Sequence, residues 1–163
     1  MRRALMLLAI LVFPMPSYSQ SAATHPVEVL DLQLAMRAAL RAVEVCSEAG
    51  FQAGASVVDR FGVEQVTLRN NMGGAHVAEA ARRKAWTAAS FNQPSTELQS
   101  LAGTGGEAGL NTMPGALATG VGLPIVSKSG ALLGGIGVAG GGGSENEAKC
   151  AKAGLDAITE QLK

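Results

Sequence analysis

Between residues 120 and 138 the chain reads Gly122-Leu123-Pro124-Ile125, then a Ser129-Gly130 pair, then Leu132-Leu133-Gly134-Gly135-Ile136-Gly137-Val138. The pattern predicts a strand over 120–127, a tight turn, and a second strand over 131–138. A strand with so many glycines has few side chains to pack with. It is tolerated where something approaches its backbone closely, and this requirement narrows the fold more than any other segment does.

The other informative stretch is Ala81-Arg82-Arg83-Lys84-Ala85-Trp86-Thr87-Ala88, continuing to Phe91, which predicts a basic-edged helix over 75–90 that Pro94 ends. A first helix is expected after Asp31, an N-cap residue, with Met36, Leu40 and Val43 as its apolar face and Gly50 as its stop. The β-rich runs 53–58 and 63–68, separated by Asp59-Arg60-Phe61-Gly62, predict a first hairpin. A short helical piece is expected over 95–101. Residues 102–120 hold six glycines and Pro114, which predicts a long irregular segment of the kind that carries function or an interface. After Gly140-Gly141-Gly142-Gly143, Ser144-Glu145-Asn146-Glu147 predicts a capping box at the head of a last helix, with Leu155, Ile158 and Leu162 as its apolar positions. Helices at both ends, two hairpins and a helical middle define an α+β domain with an antiparallel sheet covered by helices.

The first residues have a different character. Arg2 and Arg3 precede an apolar stretch from Ala4 to Phe13, and Ser17-Tyr18-Ser19 supplies small residues for a signal peptidase. We expect 1–19 to be a signal peptide cleaved after Ser19, with Ala23 as the second choice. Residues 20–29 would then be a flexible lead and 30–163 a single domain. The apolar stretch is too short to span a bilayer, so the expected location is periplasmic or secreted. Acidic and basic residues balance at 13 each, and losing Arg2 and Arg3 leaves the exported part faintly acidic, which gives no support to nucleic acid or membrane-surface partners. Cys46 and Cys150 are the two cysteines, and an oxidising compartment favours a disulfide between them; two buried thiols are the alternative.

Chemistry-bearing patterns are few. Gly135-Ile136-Gly137-Val138-Ala139-Gly140 matches G-x-G-x-x-G but lies within a strand, not between a strand and a helix, so a dinucleotide site is not expected. No P-loop, zinc cluster or nucleophile elbow is present, so the residues leave open whether the protein is an enzyme and point more toward binding than catalysis. His76 stands at the start of the basic helix. Its imidazole can ligate haem iron while Arg83 and Lys84 pair with propionates. His76, Glu79 and Arg83 are expected on one helix face with Arg82 pointing elsewhere; the alternative for His76 is a solvated residue at a helix start. Met72 and Met113 are soft alternative ligands, and Thr87 and Thr96 weak oxygen donors. Without C-x-x-C-H, any haem is held noncovalently.

The Lys84-Ala85-x-Thr87-Ala88 helix and the late Gly122-Leu123-Pro124-Ile125 hairpin together resemble the GlcG/HbpS-like haem-binding family, and the resemblance runs from about Leu30 to the C-terminus. It implies a profilin-like fold with the terminal helices side by side, which would bring Cys46 and Cys150 within bonding reach. It also implies haem as cofactor, a site that includes His76, Arg83, Lys84 and Thr87, and a homo-oligomer. Two departures stand out: Val121 occupies the first glycine position of Gly-Gly-x-Pro, and Glu145 and Glu147 stand where an aspartate is usual. The expected function is haem capture, buffering or redox-linked sensing. The alternatives are a small-carboxylate-binding enzyme or accessory subunit using Arg83 and segment 103–114, and a non-catalytic assembly module.

Overall fold

The computed structural model describes residues 23–102, 109–110 and 112–163. The proposed signal peptide, the cleavage site at Ser19 and Gly103, Gly105 and Gly106 lie outside the described residues.

Four helices and four strands follow in the order α1 (Leu32–Glu48), β1 (Gly54–Asp59), β2 (Glu64–Arg69), α2 (Ala75–Phe91), α3 (Ser95–Ala102), β3 (Val121–Val126), β4 (Leu132–Ala139) and α4 (Ser144–Asp156), with a closing 3-10 turn at Thr159–Gln161. The strands form one antiparallel sheet in the order β2-β1-β4-β3. Helices α1 and α4 pack together across one face, and α2 covers the other. This is the profilin-like α+β arrangement that the sequence implied.

On the α1/α4 face, packing is by side chains. Ala35, Ala38, Ala39, Ala42 and Cys46 of α1 meet Ala55, Val57, Ile136 and Val138 of the sheet, with Cys150, Ala151 and Ile158 from the C-terminal end. Each fully buried Val or Ile contributes about 1.5 to 3 kcal/mol. Asp31 caps α1 as expected, its carboxylate accepting from Gln33 N at 2.8 Å. The buried face of α1 is not the expected one, however. Met36 and Leu40 are about half exposed, and the alanines with Cys46 face inward, because small side chains let the helix approach both the sheet and α4. Cys46 and Cys150 are bonded, with their Cα atoms 5.5 Å apart.

On the α2 face, packing is by the removal of side chains. A Cβ added to Gly137 would run into Ala81 O, one on Gly135 into Ala85 O, and one on Gly122 into Lys84 O. The glycines are therefore required because the backbone of α2 lies directly on these strands. Two further expectations are corrected at the C-terminal end. The N-cap of α4 is Gly143, with no side-chain cap bond, so the Ser144/Glu147 capping box does not form. The α-helix also stops at Asp156, so Leu155, Ile158 and Leu162 do not share one continuous helix.

Candidate functional site

Helix α2 sorts the expected site residues by which side of it they occupy. Lys84 faces the sheet and is buried. Its Nζ donates to Val138 O at 2.9 Å and to Glu147 Oε2 at 2.7 Å, while Glu147 Oε1 accepts from Gly140 N at 3.1 Å. Both charges are thus hydrogen-bonded as well as paired, the condition under which an ion pair is tolerated away from water. Glu147, read from sequence as half of a capping box, is instead the carboxylate that holds α4 to α2. The sequence signals for it were a lysine on the glycine-facing side of α2, which needs an acid somewhere, and the place of Glu147 where an aspartate is usual in the family.

Thr87 is fully buried. Its hydroxyl donates to Arg83 O at 2.8 Å and accepts from Leu117 N at 2.8 Å, so it fastens the segment after residue 112 to α2. The Arg83 guanidinium donates to Ala116 O of the same segment. Trp86 lies between that segment and the first hairpin: added Cβ atoms on Gly62 or Gly115 would both meet the indole. The small-carboxylate alternative drew on Arg83 and on segment 103–114. Of these, Arg83 is engaged by a backbone carbonyl, and residues 103–108 and 111 lie outside the described residues.

His76 is different. It is exposed in the first turn of α2, its ring lies against the backbone of Gly74, and no hydrogen bond holds it among the described residues. Glu79, one turn on, does not turn to Arg83 as the helix spacing suggested. It takes a bidentate pair from Arg82, with Nε–Oε2 at 2.9 Å and Nη2–Oε1 at 2.8 Å, because an i,i+3 fork reaches both carboxylate oxygens. That hydrogen bond holds the Glu79 carboxyl below its ordinary value and raises Arg82. Met72 is exposed, as is Met113. Among the described residues, no cluster of three or more His, Cys, Asp or Glu could hold a bare metal ion.

Two cavities, of about 330 Å³ and about 430 Å³, lie at the far end of the sheet, sharing Leu162. The first is lined by Pro124, Val126 and Leu155, the second by Leu30, Leu34 and Leu133. None of the four expected site residues lines either cavity. His76 neighbours Val77, which packs on Ala139, whereas the cavities border the opposite ends of β3 and β4. Among the described residues, His76 is thus an exposed imidazole that neither of these two cavities encloses.

Fold and residues together define a profilin-like α+β domain whose basic helix lies on a glycine-lined sheet. The family profile described as haem degrading protein HbpS-like matches residues 30–156. The chain belongs to the HbpS-like family. A crystal structure of a double mutant of Streptomyces reticuli HbpS is 34% identical, covers 89% of this chain and 97% of its own, and superposes with a TM-score of 0.79. A crystal structure of HbpS is 35% identical, with 86% and 98% covered and a TM-score of 0.78. A crystal structure of a PduOC–haem complex is 26% identical, with 80% and 96% covered and a TM-score of 0.72. No curated protein matches.

Proposed function

We propose that this chain is an exported, homo-oligomeric haem-binding protein that captures or buffers haem. The observation that carries the reading is the family match over residues 30–156, to which the haem complex of a relative adds support. His76 would ligate the iron, being a solvent-facing imidazole with no competing partner among the described residues. Arg83, two turns further along α2, would pair with a propionate while still anchored at Ala116 O, since a guanidinium has donors to spare. Bound haem would supply a redox-active iron. Lys84 and Thr87, whose polar atoms hold α4 and residue 117, would act as positioning residues. Export is supported by the leader-like residues 1–19 and by the disulfide.

The test is a haem titration of the purified protein followed by absorbance, beside His76→Ala. A saturable Soret band that weakens and shifts in His76→Ala is expected. Equal bands in both would remove His76 from the site, and no band in either would overturn the haem reading.

A further inference from the structure

The two edges of the sheet are finished differently. On β3 the outward N–H of Gly122 donates to Ser95 Oγ at 2.6 Å, and the next outward position is Pro124, which has no N–H. On β2 nothing corresponds among the described residues. Asn70 N donates to Ala53 O at 2.9 Å, and the ladder pairs Thr67 with Ser56 and Arg69 with Gly54. Antiparallel alternation then turns the N–H and C=O of Thr67 and Arg69 away from β1, into solvent. An open edge of this kind pairs with another strand unless something blocks it.

The charges along that edge select the strand that fits. Val57 pairs with Val66 and Val58 with Glu64, so Gln65 is the extra residue of a bulge. With Gln65 skipped, Glu64 and Arg69 stand two ladder positions to either side of Thr67, on the same face of the sheet. The edge is therefore self-complementary under a two-fold axis through Thr67. Beside it runs α1. Ala38 of α1 lies against Gly154 of α4, while α1 also packs on β2. The helical spacing of Leu32, Met36 and Leu40 sets these residues on the side remote from α4, toward the β2 edge, with exposures of 49%, 46% and 51%.

We propose that a second copy of this chain adds to the open edge of β2. Thr67 exchanges both backbone hydrogen bonds with Thr67 of the second copy, and Glu64 faces Arg69 of the second copy and the reverse. The axis stands normal to the sheet, so the two α1 helices run antiparallel on one face and their Leu32-Met36-Leu40 stripes meet. Arg69 gives only Nη1 to the carbonyls of Asn70, Asn71 and Gly73, which leaves Nε and Nη2 for the carboxylate. The same axis carries the exposed Phe61 and Val63 of the second copy toward the end of the sheet where His76 stands. The inference deepens the homo-oligomeric part of the proposed function and rests on it.

Sedimentation equilibrium without haem tests this on the purified protein, on Thr67→Pro, on Glu64→Arg and on Glu64→Arg/Arg69→Glu. Proline suits an edge position whose N–H is unused within the monomer, so Thr67→Pro should fold and raise the dissociation constant about 30-fold through two lost backbone bonds. Glu64→Arg sets arginine against arginine twice and should weaken association about 10-fold. The double swap should restore it to within about threefold, which a misfolded variant would not do. A wild type that stays monomeric would overturn both the surface and the homo-oligomeric reading. An associated wild type indifferent to all three variants would overturn the surface alone. Neither result depends on the haem titration.

Discussion

The two faces of this four-stranded sheet solve the same packing problem in opposite ways. Toward α1 and α4 the strands present Val57, Ile136 and Val138, and a disulfide crosses between the helices. Toward α2 the same strands present Gly122, Gly135 and Gly137, and helix backbone lies on strand backbone. Ile136 and Gly137 are adjacent, so a single residue step separates the two regimes. The side-chain face derives its stability from buried apolar area and can absorb small changes in volume. The glycine face draws on close contact and a buried ion pair at its end, so it has no slack.

Substitutions at neighbouring positions should expose that contrast. The largest effect is expected for Gly137→Val. Its Cβ would meet Ala81 O and no rotamer relieves a clash with backbone, so loss of at least about 3 kcal/mol is expected, the upper end for overpacking. Ile136→Val on the other face should cost only about 1 kcal/mol. Urea midpoints measure both, and equal losses would erase the distinction between the faces.

Next comes the tie at the end of the glycine face. Lys84→Met leaves the Glu147 carboxylate buried and unpaired, and about 3 kcal/mol should be lost. Lys84→Met/Glu147→Leu should recover most of it, because an apolar pair of similar volume carries no desolvation penalty. A double variant no better than the single one would show that the Lys84–Val138 O bond, not the ion pair, holds this end. The third effect belongs to the side-chain face. Replacing both Cys46 and Cys150 by alanine should cost about 2 to 4 kcal/mol, mostly by freeing the unfolded chain, and should leave the α2 face unchanged in amide exchange. Loss of protection in α2 as well would mean that the two faces do not respond separately.

The sequence was legible where backbone rules decide locally. The Asp59-Arg60-Phe61-Gly62 loop, the Asp31 cap, the Pro94 stop and the Ser129-Gly130 turn all fall where residue chemistry predicts them, because each depends on neighbours within a few positions. It misled where an apolar or charged residue had two possible uses. Met36 and Leu40 carry the larger apolar side chains of α1, yet the helix buries its alanines, since the distance available between α1, α4 and the sheet is set by all three elements. Ser144 and Glu147 have the spacing of a capping box, yet Glu147 is drawn inward by a lysine 63 residues earlier. The four expected site residues lie on one helix, but only the three-dimensional arrangement separates His76, which has no hydrogen-bond partner among the described residues, from Arg83, Lys84 and Thr87, which are engaged.

The sequence by itself determined the order of elements, the need for a close backbone approach at residues 122–137, and the family. Helix caps, turns and glycine runs act over a few residues, so they are written in the chain directly. Only the tertiary structure decided which helix lies on the glycines, which carboxylate meets Lys84 and which sheet edge stays open. Each of those depends on distances between segments far apart in sequence, which packing sets and local chemistry does not.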